Sequence, residues 1–135
     1  MIVSLKNINY NNIIYGRKTQ DKLTYYNIQY ATPNYQLNNI YLKLNMSYTI
    51  NEQSNNIFVN FSKNSKIIDK YVNIERELLL KSNIKKKPIY KLQYQLDKGY
   101  FNATAINKKH TQLYLKIGGI WENETEYGLI YRFYI

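Results

Sequence analysis

Residues 41–50 read Tyr41-Leu42-Lys43-Leu44-Asn45-Met46-Ser47-Tyr48-Thr49-Ile50. Leu42, Leu44, Met46, Tyr48 and Ile50 fall on one side of an extended chain, and Tyr41, Lys43, Asn45, Ser47 and Thr49 on the other. Side chains of a strand alternate between its faces, so this unbroken alternation predicts one half-buried β-strand. The same period recurs downstream. Tyr90, Leu92, Tyr94 and Leu96 alternate with Lys91, Gln93 and Gln95, and Leu113, Leu115 and Ile117 with Tyr114 and Lys116. Tyr127, Leu129, Tyr131, Phe133 and Ile135 alternate with Ile130, Arg132 and Tyr134. Residues 122–126 suit an acidic hairpin turn between the last two strands. Gly118-Gly119 reads as a strand bulge. Trp121, after an apolar strand, reads as core.

Upstream, residues 2–5, 8–15 and 23–30 are apolar or Tyr-rich and β-prone, and Gly16 closes the second of these runs. Charged residues 17–22 and the Pro33-containing stretch 31–36 read as loops. Residues 57–61 form a short strand, and 99–106 a further candidate. One segment breaks the pattern. In residues 65–81, Ile67, Ile68, Tyr71, Val72, Ile74, Glu75 and Leu78 recur at spacings of three and four, which predicts a helix. Asn64 or Ser65 can cap its start, and Pro88 blocks its continuation. The expectation is a single domain over residues 1–135, mainly β. Its form is an OB-like antiparallel barrel or sheet with one helix inserted between the central strands, where an OB barrel carries its main helix.

The 19 Lys and Arg against 9 Asp and Glu leave a formal charge of +10, which favours a polyanionic partner, nucleic acid before an anionic membrane face. AT-rich codons alone would raise Lys, Asn, Ile and Tyr together. They do not explain 16 Tyr against 4 Phe, because both have AT-rich codons. A ring that stacks on one face while its hydroxyl stays wet does.

Catalytic chemistry has few residues to stand on. The absence of cysteine removes disulfides and thiolate metal sites. The one histidine, His110, sits in a basic loop without obvious companions, and Glu122, Glu124 and Glu126 read as a solvated turn. No Walker loop, dinucleotide-binding turn or nucleophile elbow is present. No enzyme activity, metal or other cofactor is expected. No apolar run approaches the ~20 residues that span a bilayer. The opening residues lack the basic and apolar regions of a secretory signal, so a cytoplasmic protein without membrane contact is expected.

Single-strand binders combine a cationic groove with rings on which bases stack. The faces turned away from the core carry both. Tyr41 stands beside Lys43, Tyr114 beside Lys116 and Arg132 beside Tyr134, with Lys91 on a neighbouring strand. Residues two apart share a face at about 7 Å. Lys85-Lys86-Lys87, the densest run of charge, leads into that strand and adds candidate phosphate contacts.

The C-terminal stretch contains Leu115-Lys116-Ile117-Gly118-Gly119-Ile120-Trp121-Glu122 and then Gly128-Leu129-Ile130-Tyr131-Arg132-Phe133. It resembles the closing hairpin of small DNA-binding proteins of large cytoplasmic DNA viruses. With the AT-rich character and size, it is similar to the single-stranded DNA-binding proteins of yeast linear cytoplasmic killer plasmids. The resemblance covers the hairpin well and the rest in outline. It implies an OB-like fold, sequence-tolerant single-stranded DNA binding in replication of a linear element, and cytoplasmic residence. It admits replication proteins and a second copy of the chain as partners. Some members end in an acidic tail. This sequence ends Arg132-Phe133-Tyr134-Ile135, so recruitment of polymerase through such a tail is not expected. Two alternatives stay open: a duplex-binding factor for terminal repeats, and a structural particle protein neutralising packaged nucleic acid.

Overall fold

The computed structural model describes residues 8–20, 23–33, 35–54, 56–62, 66–106 and 109–135. In chain order they form β1 (Ile13–Gln20), β2 (Leu23–Thr32), β3 (Tyr35–Asn38), β4 (Ile40–Lys43), β5 (Tyr48–Gln53) and β6 (Asn56–Phe61), then α1 (Lys66–Lys81). After these come β7 (Lys87–Ile89), α2 (Lys91–Asp97), β8 (Tyr100–Ala103), β9 (Tyr114–Glu122) and β10 (Glu126–Tyr134). The protein is mainly β, and its sheets are not closed into a barrel.

The larger sheet runs β1-β2-β9-β10-β7, antiparallel except for β7, which lies parallel to β10. It is forked. β2 pairs β9 over Thr24 to Asn27, then pairs β3, while β9 pairs β4 from Ile117 to Tyr114. Between β3 and β4 the chain reverses at Asn39, whose φ of 68° is the left-handed conformation that Asn tolerates better than most residues. The smaller sheet is β5-β6-β8, joined to the larger by a bridge between Thr104 and Tyr134.

The core collects the inner faces of both sheets and one face of each helix. Leu42, Leu115 and Phe133 lie in one cross-strand row and are at most 4% exposed. Phe101 of β8 stacks on Phe133 with ring centroids 3.7 Å apart, which ties the two sheets together. α1 buries Ile68, Tyr71, Ile74, Leu78 and Leu79. The carbonyls of its last turn find partners in the sheet: the Tyr15 hydroxyl donates to Leu78 O at 2.8 Å, and the Tyr127 hydroxyl reaches Leu79 O at 3.5 Å. Helix ends leave such carbonyls without intrahelical partners, so these contacts dock the helix as well as satisfy it.

Several expectations are corrected. Residues 41–50 keep their two faces, but the strand is broken: β4 ends at Lys43 and β5 begins at Tyr48 in the other sheet. Residues 17–20 belong to β1, which runs through Gly16, and the loop at 31–36 shrinks to a turn at Pro33 between β2 and β3. Residues 10–12 form a 3-10 turn capped by the Asn9 side chain. The expected strand at 2–5 and the caps Asn64 and Ser65 lie outside the described residues. The largest correction concerns residues 90–96. They are not a strand; Lys91–Asp97 is a second helix.

Alternation over a few residues also satisfies a helix. Leu92 and Leu96 are four apart, and both are buried on the same side of α2. The N-terminus of α2 has no cap from its own Tyr90. It is capped instead by Glu75 of α1, fully buried, which accepts from Leu92 N at 2.8 Å and Gln93 N at 2.9 Å. These are amides that a helix leaves without partners.

Burial raises the Glu75 carboxyl above its usual value of about 4.5, against the lowering effect of the two amides and of Arg76. The folded protein therefore holds this proton to higher pH than the unfolded chain. Its stability contribution is complete below about 4.5 and is lost as pH rises through the folded value. Glu75→Gln should flatten that decline in urea unfolding measured across a pH series, and Glu75→Ala should cost ~2–4 kcal/mol by stranding both amides. An unchanged pH slope in Glu75→Gln would assign the titration to other groups.

Candidate nucleic-acid interface

Six of the ten residues singled out in the sequence come together on the outer face of the larger sheet. Tyr41 pairs with Lys116, and Lys116 with Arg132, in one row across β4, β9 and β10. Lys43 pairs with Tyr114, and Tyr114 with Tyr134, in the next row. Directly opposed residues of an antiparallel pair share a face, with Cβ atoms about 5 Å apart, and the rows are separated by about 7 Å. On β9 and β10 the first row is cationic and the second aromatic. Lys43 and Arg132 are exposed, and the three tyrosines and Lys116 are half-buried. The Lys116 ammonium lies 6.0 Å from the Tyr41 ring centre, and the Tyr114 hydroxyl donates to Gln112 Oε1.

Beside this patch the face hollows into an open groove of about 850 Å³. Its floor is Gly118. Tyr25, Asn27, Lys116, Arg132 and Tyr134 stand around it, and no carboxylate lines it among the described residues. The hollow has a local cause. Ile130 pairs with Gly119 and Tyr131 with Ile117, so Gly118 is the extra residue of the expected bulge. Neither glycine raises a side chain into the groove. Gly119 has no alternative, because a Cβ there would collide with the Tyr26 carbonyl oxygen.

The bulge also overturns the expectation for Trp121. Leu113, Leu115 and Ile117 place odd positions inward, but one extra residue inverts the parity. Ile120 is the buried residue beyond the bulge, and Trp121 is half-buried on the face shared with the groove. Tyr25 is its cross-strand partner on β2. The indole lies over Gly128, where an added Cβ would meet it at 2.8 Å. The sequence signal that sets Tyr25 and Trp121 side by side on this face is the glycine pair, whose bulge inverts the parity.

Lys91 is on helix α2 rather than on a strand, and its ammonium sits 4.9 Å from the Trp121 ring centre. Lys85, Lys86 and Lys87 do not join the two-row patch. Lys87 pairs with Glu126, six residues along β10 from Arg132, which is about 20 Å of strand. Lys86 is engaged with the hairpin turn: it donates to Asn123 O at 2.7 Å and lies 3.3 Å from Glu122 Oε2. That turn is ordered by Asn123 Oδ1, which accepts from Thr125 N and Glu126 N. His110 has a companion after all, with Nε2 3.0 Å from Glu52 Oε1.

Outer and inner faces should separate in mutants. Tyr114→Ala and Tyr134→Ala should leave thermal stability nearly intact and weaken single-strand affinity by ~1–3 kcal/mol each. Leu115→Ala and Phe133→Ala should instead cost ~2–5 kcal/mol of stability through cavities. Thermal unfolding and fluorescence titration of the four variants read both quantities. Unfolding caused by the two tyrosine variants, with affinity per folded molecule unchanged, would remove this face as the interface.

Searches with protein-family models, curated proteins and solved structures found no match, so the meaning of this face rests on its own residues.

Proposed function

We propose that the protein binds single-stranded nucleic acid, DNA foremost, without strong sequence choice and without catalysis. The observation that carries the reading is the pair of rows across β4, β9 and β10. It holds Lys43, Lys116 and Arg132 next to Tyr41, Tyr114 and Tyr134 on one sheet face, beside a groove that no carboxylate of the described residues lines. A strand crossing β9 and β10 would lay phosphates along Lys116 and Arg132 and turn bases over Tyr114 and Tyr134. Every base has a π-face, so stacking on these rings is tolerant of sequence. An OB-like organisation, a role in replicating a linear AT-rich element, cytoplasmic residence and replication partners belong to the same proposal. They rest on the resemblance of residues 113–133. Lys85, Lys86, Lys87 and Lys91 enter it as outlying cations.

A duplex reader would need an element for the major groove. Among the described residues the exposed face of α1 offers one Asn and one Arg, Asn73 and Arg76, and Arg76 is held against Gln93 and Tyr90, which favours the single-strand reading over the terminal-repeat one. Competition among single-stranded DNA, duplex DNA and RNA over a salt series tests it. Single strands of mixed sequence should bind more tightly than duplex of equal length. Three cations in the patch should give a log–log salt slope of about −2, and removing Lys116 or Arg132 should each reduce its magnitude by ~0.7. Emission from Trp121 and the tyrosines should be quenched on binding. Equal or tighter duplex binding would put the terminal-repeat factor first. Weak binding in solution with firm particle association would put the structural protein first.

A further inference from the structure

Arg132 faces two hollows. Besides the groove over Gly118, it lines a second one of about 350 Å³ at the far side of β10, between β8 and α2. Phe58, Gln95, Lys98, Tyr100 and Asn102 line that hollow as well, and among the described residues its charged lining is Lys98 and Arg132. Tyr100 is 46% exposed, and at the rim Tyr94 of α2, four residues before Lys98, is 67% exposed. The Lys98 ammonium lies 4.6 Å from the Tyr94 ring centre. Gln95 braces the two elements by donating from Nε2 to Tyr100 O at 2.8 Å. Gly99, at a φ of 81°, makes the turn that carries the chain from α2 into β8.

Stability does not require two exposed tyrosines here. An exposed ring beneath an ammonium contributes about 0.5–1 kcal/mol, and Phe101 and Leu96 already fill the core beneath them. The combination repeats that of the sheet face: rings at the surface, a cation within reach, and no carboxylate among the described residues that line the hollow. The two hollows meet at one guanidinium, which can clamp a phosphate through two donors.

We propose that a single strand leaves the sheet face at Arg132, crosses the edge of β10 and continues into this second groove. There Lys98 contacts its backbone, and Tyr94 and Tyr100 stack on its bases. This inference rests on the function proposed above and deepens it. The binding site is longer than the two-row patch, and oligonucleotide length decides whether the second groove is used.

Titrations with mixed-sequence DNA oligonucleotides of 5 and 15 nucleotides test this. The double variant Tyr94→Ala/Tyr100→Ala, and separately Lys98→Ala, should weaken binding of the longer oligonucleotide at least about fivefold and leave the shorter one unchanged. Tyr114→Ala should weaken both. Tyr94→Phe/Tyr100→Phe keeps the rings and should restore the longer strand's affinity, and thermal unfolding confirms that each variant is folded. Unchanged 15-nucleotide affinity in folded Tyr94→Ala/Tyr100→Ala, or an equal loss at both lengths, would overturn the second groove while leaving the patch standing. Failure of both lengths to bind the unaltered protein would overturn the function itself.

Discussion

The outer face of this protein depends on one extra residue. Gly118 has no partner on β10, and that single insertion sets which side chains of β9 and β10 look inward over their whole length. Before it, Leu115 and Ile117 pack into the core; after it, Ile120 does. A regular ladder would have driven Trp121 into the core and put Ile120 on the surface. The bulge instead leaves a hollow between the Lys116–Arg132 row and the Tyr25–Trp121 pair. It is affordable because neither Gly118 nor Gly119 has a side chain to place, and the β2 backbone closes tightly over Gly119.

Much of this was legible in the sequence, because strand parity is strict. The alternation of 113–117 and 127–135, the turn at 122–126 and the helix at 65–81 reappear with small shifts. The parity of 41–50 also holds, although the strand does not. Nothing in Leu44 to Ser47 announces a change of sheet; that break follows from where β9 begins, at Tyr114 opposite Lys43, and where β6 ends, at Phe61 opposite Tyr48. Residues 90–96 misled for a different reason. Leu92 and Leu96 satisfy periods of two and of four alike, and the arbiter is Glu75, sixteen residues before Lys91. A capping carboxylate from another helix leaves no local trace. The same distance effect separates Lys85, Lys86 and Lys87 from the patch, since only the parallel pairing of β7 with the start of β10 places them at the other end of the sheet.

The tyrosine excess has two physical sources rather than one. Tyr15, Tyr71 and Tyr127 reach main-chain groups from inside or beside the core, at Leu78 O, Asn45 N and Leu79 O. Tyr131 donates to Lys91 O, and its hydroxyl is pushed up to about 12 by burial and by the nearby Glu75. At such places tyrosine replaces phenylalanine because its oxygen satisfies a backbone group at the edge of the core. Others, Tyr41, Tyr94, Tyr100, Tyr114 and Tyr134 among them, keep their rings half-buried or exposed at the surface. Composition alone could not divide the two groups.

The forked sheet bears on how the chain reaches this state. β9 is the hub: its partners are β2, β4 and β10, and two of these precede it by some seventy residues or more. A chain growing from its N-terminus can close the β1–β2 hairpin early. The strands that must flank β9 then wait with open edges until residues 114–134 have been made. Long-range pairing of this kind is slow, and unpaired edges are sticky in the interval. The larger sheet is therefore completed last where it forks, when residues 114–122 pair at once with β2 and with β4.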